Sequence, residues 1–425
     1  MTDFNEKILK EHIKCLDGLV LYRSILNDPV IPALKNISMG KDAALDFSEL
    51  IYILTESAEA SGYGGDIFKN YMFNLFLYDE NRFSLYCENN KNVQNTSLYK
   101  LALNDIKILK SVLSSDFSSL CSENGLLSEI FDYKPVNKKE NDFLAHMNTA
   151  VSGEELLEVF VNFYNDFGCG DISRFRFFGY NDALGKIEGI DNPDPITFDD
   201  IIGYKSQIEE LIQNTEAFIK GFPANNVLLA GSRGTGKSSS VKALANKYYK
   251  DGLRIIEITK EQIVKLTKLL PALKDRGKKF IIFIDDLSFD ESEIQYKYMK
   301  SLLEGGSRSK PDNVLFYATS NRRRLISEKW SDRMRGDDEV HTRDTLNEKL
   351  SLADRFGITI SYPKLTPGEY IDMVKIMAEK SGISVDGETL RKESLKWEIN
   401  QKGISGRTAR QFVNYLSGTA FCTNK

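Results

Sequence analysis

The chain is poor in the residues that build disulfide frameworks, zinc sites and membrane spans. Its 425 residues contain an odd number of cysteines, five, which lie far apart without a C-x-x-C pair. This pattern argues against a disulfide framework or a zinc site and is typical of reduced thiols in a cytosol. No apolar run approaches the roughly 18 residues that cross a bilayer, and residues 1–7 lack the profile of a secretory signal. We therefore expect a soluble, cytoplasmic protein that does not enter a membrane.

Charge and histidine content do not point to a particular ligand. The net charge of −5 does not favour binding to nucleic acid, although the sequence still allows a local basic patch that could bind it. His12 and His146 stand alone, without the spacing of metal ligands. A length of 425 residues exceeds one ordinary domain, and 41% apolar with 28% charged residues is the composition of a globular protein. Two or three domains are expected.

The first part of the chain has the periodicity of α-helices. Leu9, Ile13, Leu16 and Val20 fall on one helical face, and similar stripes recur up to about residue 170. Ser152-Gly-Glu-Glu155 has the pattern of a capping box. We interpret these stripes as core, and they contain no catalytic constellation. The sequence therefore predicts a helical N-terminal domain over residues 1–178, of unknown role.

The pattern changes after a segment rich in Gly, Asp, Asn and Pro, residues 179–197, which predicts a linker. Beyond it, strand patterns alternate with helix patterns, which indicates a parallel sheet. The predicted strands are 227–230, 254–259, 280–284, 314–319 and 358–362. A charged segment, 327–347, predicts an exposed loop. The fold class is therefore α/β, with the sheet domain at 198–362 and a small helical region at 363–425.

The most specific motif is Gly231-Ser-Arg-Gly-Thr-Gly-Lys237-Ser238, which fits the phosphate-binding loop G-x-x-x-x-G-K-[S/T]. Its glycines permit backbone angles that turn N–H groups around an anion, and the following helix adds the positive end of its dipole. Lys237 can reach the β- and γ-phosphates and Ser238 can ligate Mg²⁺. A chance glycine-rich turn is the alternative, disfavoured by the strand, loop and helix in order. The predicted nucleotide contacts are Gly231, Ser232, Arg233, Gly234, Thr235, Gly236, Lys237, Ser238 and Ser239.

Two predicted strands end in polar side chains. Phe280-Ile-Ile-Phe-Ile ends in Asp285 and Asp286, and ligands bind at the carboxyl ends of such strands. Asp285 is placed to hold Mg²⁺ and Asp286 to orient or deprotonate the attacking water. Asn321 ends the next predicted strand, and its amide could reach the γ-phosphate or the water, although Asn also commonly ends strands in turns.

Together these motifs make residues from about 198 to 416 resemble an AAA+ ATPase module. Phe198-Asp-Asp-Ile-Ile-Gly203 resembles the segment near the adenine, so the resemblance implies contacts from Ile202 and Gly203. Asn321 matches the sensor-1 position. In detail the chain is most similar to a bacterial AAA family catalogued as domain of unknown function 815, through residues 225–239, 283–289, 318–323 and 352–357. The sheet domain is then the AAA+ core and the C-terminal region its lid.

The resemblance also implies two catalytic arginines. Ser351-Leu-Ala-Asp-Arg355-Phe-Gly resembles the box that carries an arginine finger, and Gly403-Ile-Ser-Gly-Arg407 resembles the sensor-2 helix. Arg355 would act on a neighbour's γ-phosphate, which requires a head-to-tail homo-oligomer. Arg407 would approach the nucleotide of its own subunit. A surface salt bridge is the alternative for each. An isolated monomer should hydrolyse slowly without the finger.

The sequence predicts an ATPase that hydrolyses Mg-ATP to drive a conformational change in an unidentified protein partner. One departure from many AAA+ proteins bears on turnover: the pair is Asp285-Asp286 instead of Asp-Glu, and the shorter side chain makes slow turnover plausible. The alternative is a non-catalytic or very slow switch, loader or adaptor, with a DNA-associated role less supported by the charge. The sequence lacks the Asn-Lys-x-Asp signature of guanine binding, which disfavours a GTPase.

Overall fold

The computed structural model describes most of the chain as two compact units, Met1–Arg174 and Phe175–Lys425. The described residues are 2–39, 43–115, 129–138, 142–289, 293–304, 310–321, 352–383, 385–401 and 403–423. The charged segment predicted at 327–347 lies outside them. The first unit is helical and the second contains the sheet, so the predicted α/β class with a helical N-terminal part is confirmed.

The first unit buries the apolar stripes of its helices in one core. The capping box predicted at Ser152 is present: Ser152 Oγ accepts the N–H of Glu155 at 3.1 Å, and the Glu155 carboxylate accepts the N–H of Ser152 at 3.3 Å. The helices are α1 (Thr2–Cys15), α2 (Val30–Ser38), α3 (Ala43–Ser61), α4 (Ile67–Leu77), α5 (Arg82–Asn89), α6 (Ser97–Leu113), α7 (Asp142–Thr149), α8 (Gly153–Phe167) and α9 (Asp171–Arg174).

The chain after α1 is fixed by a buried carboxylate in addition to the apolar packing of Leu19 and Tyr22. Val20, predicted to share the face of α1, is 52% exposed because the helix ends at Cys15. Asp105 in α6 is fully buried, and one of its oxygens accepts the N–H groups of Val20, Leu21 and Tyr22 at 3.0, 2.7 and 3.2 Å. These three donors have left the helical repeat, so the carboxylate supplies the acceptor that a helix would have supplied.

The second unit is built on a seven-stranded sheet of order β2-β1-β4-β5-β6-β3-β7. All neighbouring strands are parallel except β1 and β2. Each of the five predicted strands is present, within a residue or two of its predicted ends. The strands are β1 (Phe177–Asn181), β2 (Lys186–Gly189), β3 (Val227–Gly231), β4 (Leu253–Ile258), β5 (Lys279–Ile284), β6 (Val314–Ser320) and β7 (Ile358–Tyr362).

Residues 179–197, predicted as a linker, contain a β-hairpin in the structure. Residues 179–197 include most of β1 and all of β2, and β1 extends the sheet beside β4. The Gly and Asn in this segment serve the turn: the side chain of Asn181 accepts the N–H groups of Ala183 and Leu184, and Gly185 has a φ of 65°. Turn residues in a hairpin and in a linker have the same composition, so the two were not distinguished.

The helices of the second unit flank the sheet and form a small C-terminal bundle. They are α10 (Lys205–Ile219), α11 (Lys237–Tyr248), α12 (Leu266–Lys274), α13 (Ile294–Leu303), α14 (Pro367–Lys380), α15 (Gly387–Asn400) and α16 (Gly406–Thr423). The last three form the predicted helical lid, with a core that includes Tyr370, Met373 and Phe412. The capping box predicted at Thr366 opens α14. Among the described residues, no helix is long and apolar enough to cross a membrane.

Asp105→Ala should loosen the segment after α1, because three consecutive N–H groups lose their acceptor. We expect a loss of about 1–3 kcal/mol of local stability, seen as faster hydrogen exchange at residues 20–22. Asp132→Ala is the matched control, since the Asp132 side chain is 83% exposed. Unchanged exchange in Asp105→Ala, measured by mass spectrometry on the folded chain, would contradict the role assigned to this carboxylate.

Candidate nucleotide-binding site

The loop between β3 and α11 has a backbone that depends on glycine. Gly234 and Gly236 have φ angles of 75° and 87°, which side chains of L-residues rarely permit. At Gly231, a Cβ would lie 2.1 Å from the carbonyl oxygen of Tyr362 in β7. Glycine is therefore required here both for backbone conformation and for the close approach of a neighbouring strand.

Lys237 begins α11 and turns its ammonium back over the loop. Its Nζ donates to the carbonyl oxygens of Gly231 and Ser232 at 2.9 and 2.7 Å, and it lies 3.4 Å from Asn321 Oδ1. Burial lowers the pKa of Lys237, the carboxylates of Asp285 and Asp286 act to raise it, and Arg233 acts to lower it further. The ammonium thus lies in a partly desolvated position where an anion would be a strong partner.

Two oxygen ligands predicted for magnesium lie in direct contact. Ser238 Oγ donates to Asp285 Oδ1 at 2.6 Å, joining the start of α11 to the end of β5. A hydroxyl and a carboxylate are the hard oxygen ligands that Mg²⁺ prefers, with the remaining positions left to water and phosphate. No group of three or more His, Cys, Asp or Glu side chains that could hold a metal occurs in the described part of the chain. The pair therefore fits a magnesium ion that is shared with a bound phosphate.

Asp286 has an unusual backbone and two engaged carboxylate oxygens. Its φ of 51° is left-handed, and its N–H donates to Thr319 Oγ1 at 2.9 Å. Asn321 Nδ2 donates to Asp286 Oδ1 at 2.5 Å, and an Arg233 guanidinium nitrogen lies 3.4 Å from Asp286 Oδ2. The structure thus brings together Asp286, Asn321 and Lys237, which the sequence assigned to one site.

Thr319 lies at the same site and was not predicted from the sequence. It lies in β6, is 2% exposed, and its hydroxyl accepts the N–H of Asp286 while donating to Asp285 Oδ1. One buried hydroxyl therefore positions both carboxylates. The available signal was a Thr two residues before Asn321, in a strand otherwise interpreted only as buried and apolar.

A cavity of about 270 Å³ adjoins the loop and the lid. Ile202 and Ser239, which were predicted as nucleotide contacts, line it together with Met373 and Met377 of α14. Gly203 is not among the lining residues, although a Cβ there would lie 3.8 Å from Met373. The N–H of Gly406, the first residue of α16, donates to the carbonyl oxygen of Gly234 at 2.9 Å. The lid thus contacts the phosphate loop directly, and the apolar side chains of Ile202, Met373 and Met377 line the cavity beside it.

Two arginines of α16 line the same cavity, one predicted and one not. Arg407 is exposed and lines the cavity, and the sensor role predicted for it stays a prediction. Arg410, one turn later, also lines the cavity and lies 3.4 Å from the carbonyl oxygen of Asp200. Hydrogen bonds from Thr197 lower the pKa of Asp200, and the charges of Lys380 and Arg410 add to this. The i, i+3 spacing of the arginines was the signal available in the sequence.

Arg355 lies elsewhere, in an ion pair within the chain. Its guanidinium contacts the carboxylate of Glu304, which follows α13, and the side chains of Arg355 and Glu304 are 31% and 35% exposed. In the described part of the chain, Arg355 is not among the residues that line the cavity. The trans role predicted for Arg355 stays a prediction.

Comparison with known proteins places the second unit in a family. The model of the family described as "Protein of unknown function (DUF815)" matches residues 173–420. A candidate cell division cycle ATPase of Plasmodium falciparum (isolate 3D7) is 28% identical over 215 residues, 45% of this chain and 17% of that protein. The replication factor C large subunit of Staphylothermus marinus is 35% identical over 98 residues, 21% of this chain and 22% of that protein. The chain thus spans less than a quarter of the length of these two relatives.

Among solved structures, the RuvB Holliday junction branch migration motor of Thermotoga maritima matches 52% of this chain and 63% of that chain. The TM-score is 0.36 and the sequence identity 17%.

Thr319→Val should destabilise the sheet end, because the Asp286 N–H loses its acceptor while the side-chain volume is kept. We expect the free energy of unfolding to fall by about 1–2 kcal/mol, measured by chemical unfolding followed by circular dichroism. Thr359→Val in β7 is the control, since Thr359 is exposed and should change stability little. Equal stability of the two variants would show that the hydroxyl does not hold Asp286.

Proposed function

The chain belongs to the DUF815 family and is an AAA+ P-loop protein, and from this premise we propose that it binds Mg-ATP and hydrolyses it to drive a conformational change in a protein partner in the cytoplasm. One observation carries the proposal. The phosphate loop, the Ser238–Asp285 pair and the Lys237–Asn321–Asp286 contacts lie at one edge of the sheet, beside a cavity under the lid.

The proposed binding step is an exchange of partners at Lys237. Its ammonium donates to two loop carbonyls, which are neutral acceptors, and a triphosphate would offer charged oxygens in their place. Ser238 and Asp285 would hold magnesium, which when bound supplies charge neutralisation to the phosphates. The cavity lined by Ile202, Met373 and Met377 is apolar enough to accept the base.

In the proposed hydrolytic step, the carboxylate of Asp286 would orient a water molecule and accept its proton. The hydrogen bond to Thr319 and the left-handed backbone fix the main chain of Asp286, from which the carboxylate extends. Asn321 contacts both Lys237 and Asp286, so it would connect the phosphate and the water. Arg407, in the lid, would contact the nucleotide and so couple the presence of the γ-phosphate to the position of helices α14–α16.

The second candidate function is a nucleotide switch that turns over slowly or not at all. The observation that favours it is the engagement of both Asp286 oxygens, by Asn321 and Arg233. Aspartate is also shorter than glutamate, so the proposed base has less reach toward a water. A switch, loader or adaptor would need the same binding residues and would differ only in turnover.

Lys237→Ala should weaken nucleotide binding strongly, because it removes the ammonium that lies over the loop carbonyls of Gly231 and Ser232. We expect affinity for Mg-ATP to fall by about 10- to 100-fold, measured by isothermal titration. Lys205→Ala is the matched control, since that lysine is exposed at the start of α10. Equal affinity in the two variants would remove Lys237 from the site.

The variant Arg355→Ala distinguishes the two candidate functions, an ATPase that hydrolyses Mg-ATP and a nucleotide switch with little or no turnover. If Arg355 acts on a neighbour's nucleotide, wild-type turnover per molecule should rise with protein concentration and Arg355→Ala should lose about 10³-fold or more of it. The measurement is steady-state phosphate release across a wide concentration range. A flat, near-zero rate with nucleotide binding intact would favour the switch, and an unchanged rate in Arg355→Ala would leave only the salt bridge with Glu304.

A further inference from the structure

Arg233 is the one charged side chain inside the phosphate loop besides Lys237, and it points to the far end of the site. Its guanidinium lies 3.4 Å from Asp286 Oδ2. Asp286 Oδ1 accepts from Asn321 Nδ2, and Asn321 Oδ1 lies 3.4 Å from Lys237 Nζ. The four side chains thus form a continuous chain of contacts from Lys237 to Arg233, with a cation at each end.

The positive charges of Lys237 and Arg233 lie near each other. The charge of Arg233 contributes to lowering the pKa of Lys237, after the larger effect of burial, which indicates that the two charges lie near each other. Two like charges near each other without an anion between them are unfavourable, and a phosphate would relieve this repulsion. The carboxylate of Asp286 already fills part of that role through its contact with Arg233.

The contact between Arg233 and Asp286 is suited to exchange. The Arg233 side chain is 77% exposed and that of Asp286 is 54% exposed. Exposed ion pairs contribute little to stability, so breaking this one costs little. A guanidinium also presents two parallel donors that match phosphate oxygens, and a terminal phosphate carries more charge than one carboxylate.

We propose that Arg233 leaves Asp286 and binds the terminal phosphate of a bound nucleoside triphosphate from within the same chain, which frees Asp286 Oδ2 for the attacking water. This inference rests on the proposed function. In the step it permits, the water oxygen bonds to the γ-phosphorus as the bond to the bridging oxygen breaks. The products are ADP and inorganic phosphate, and the water's proton passes to Asp286 and then to solvent.

The proposal predicts discrimination between triphosphate and diphosphate. Arg233 reaches the carboxylate proposed to orient the attacking water, and that water attacks only the terminal phosphate. The guanidinium would therefore contact a group that ADP lacks. Lys237, by contrast, lies over the loop and would contact the β-phosphate as well.

The test is isothermal titration of the full chain with a non-hydrolysable ATP analogue and with ADP, both with magnesium. In Arg233→Ala, affinity for the analogue should fall by about 10-fold or more while affinity for ADP changes less than about 2-fold. Arg233→Lys should recover part of the loss, because it keeps the charge without the two-donor geometry. Arg391→Ala, an exposed arginine of α15, is the control.

Asp286→Asn separates a phosphate contact from an indirect effect. If Arg233 binds phosphate, this variant should lose turnover but keep or gain affinity for the analogue, because the competing carboxylate is gone. An equal effect of Arg233→Ala on both nucleotides, or on neither, would overturn the inference and leave the proposed function standing. A wild-type chain that binds neither nucleotide would overturn both.

Discussion

The register of three parallel strands is the constraint on which the site depends. Ala230 in β3 pairs with Ser320 in β6, and Ala318 in β6 pairs with Ile284 in β5. Because the strands are parallel, the phosphate loop, Asp285 and Asn321 all leave the sheet at its carboxyl edge. The strands are buried along their length, so a slip in register would require a large loss of packing. The core therefore fixes the positions of side chains that are themselves polar and largely exposed.

The polar groups at this edge are satisfied by partners that a nucleotide could replace. Lys237 donates to loop carbonyls, Ser238 to Asp285, and Arg233 lies near Asp286. The ammonium of Lys237 is buried and needs such partners, whereas the Arg233–Asp286 pair is exposed and contributes little to stability. Each is also weaker than the charged contact that a phosphate or a metal ion would offer. If the chain binds nucleotide as proposed, the exchange would move side chains more than backbone.

The sequence was most informative where chemistry depends on local spacing. The phosphate loop, Asp285, Asp286 and Asn321 could be predicted because each lies at the end of a strand that an apolar run reveals. Thr319 and Arg410 could not, because their roles depend on which strand or helix lies opposite. The hairpin at residues 179–197 was missed since turn composition does not reveal strand pairing. Val20 was misjudged because α1 ends at Cys15 and the N–H of Val20 bonds instead to Asp105, which is distant in sequence.

Arg355 and Arg233 would each need to lose a different contact before they could bind a phosphate. Arg355 is paired with Glu304, so acting on a neighbour would require both assembly and the loss of that pair. Arg233 lies in the loop itself and needs only the release of an exposed contact. A chain with both arrangements could respond to nucleotide in two stages, first by cis contacts that any monomer can make, then by trans contacts that depend on neighbours. On the proposed mechanism, the shorter Asp286 would slow the chemical step in either stage and lengthen the life of the bound state. A longer-lived triphosphate state would give the lid, through Gly406 and Arg407, time to act on a partner before hydrolysis ends it.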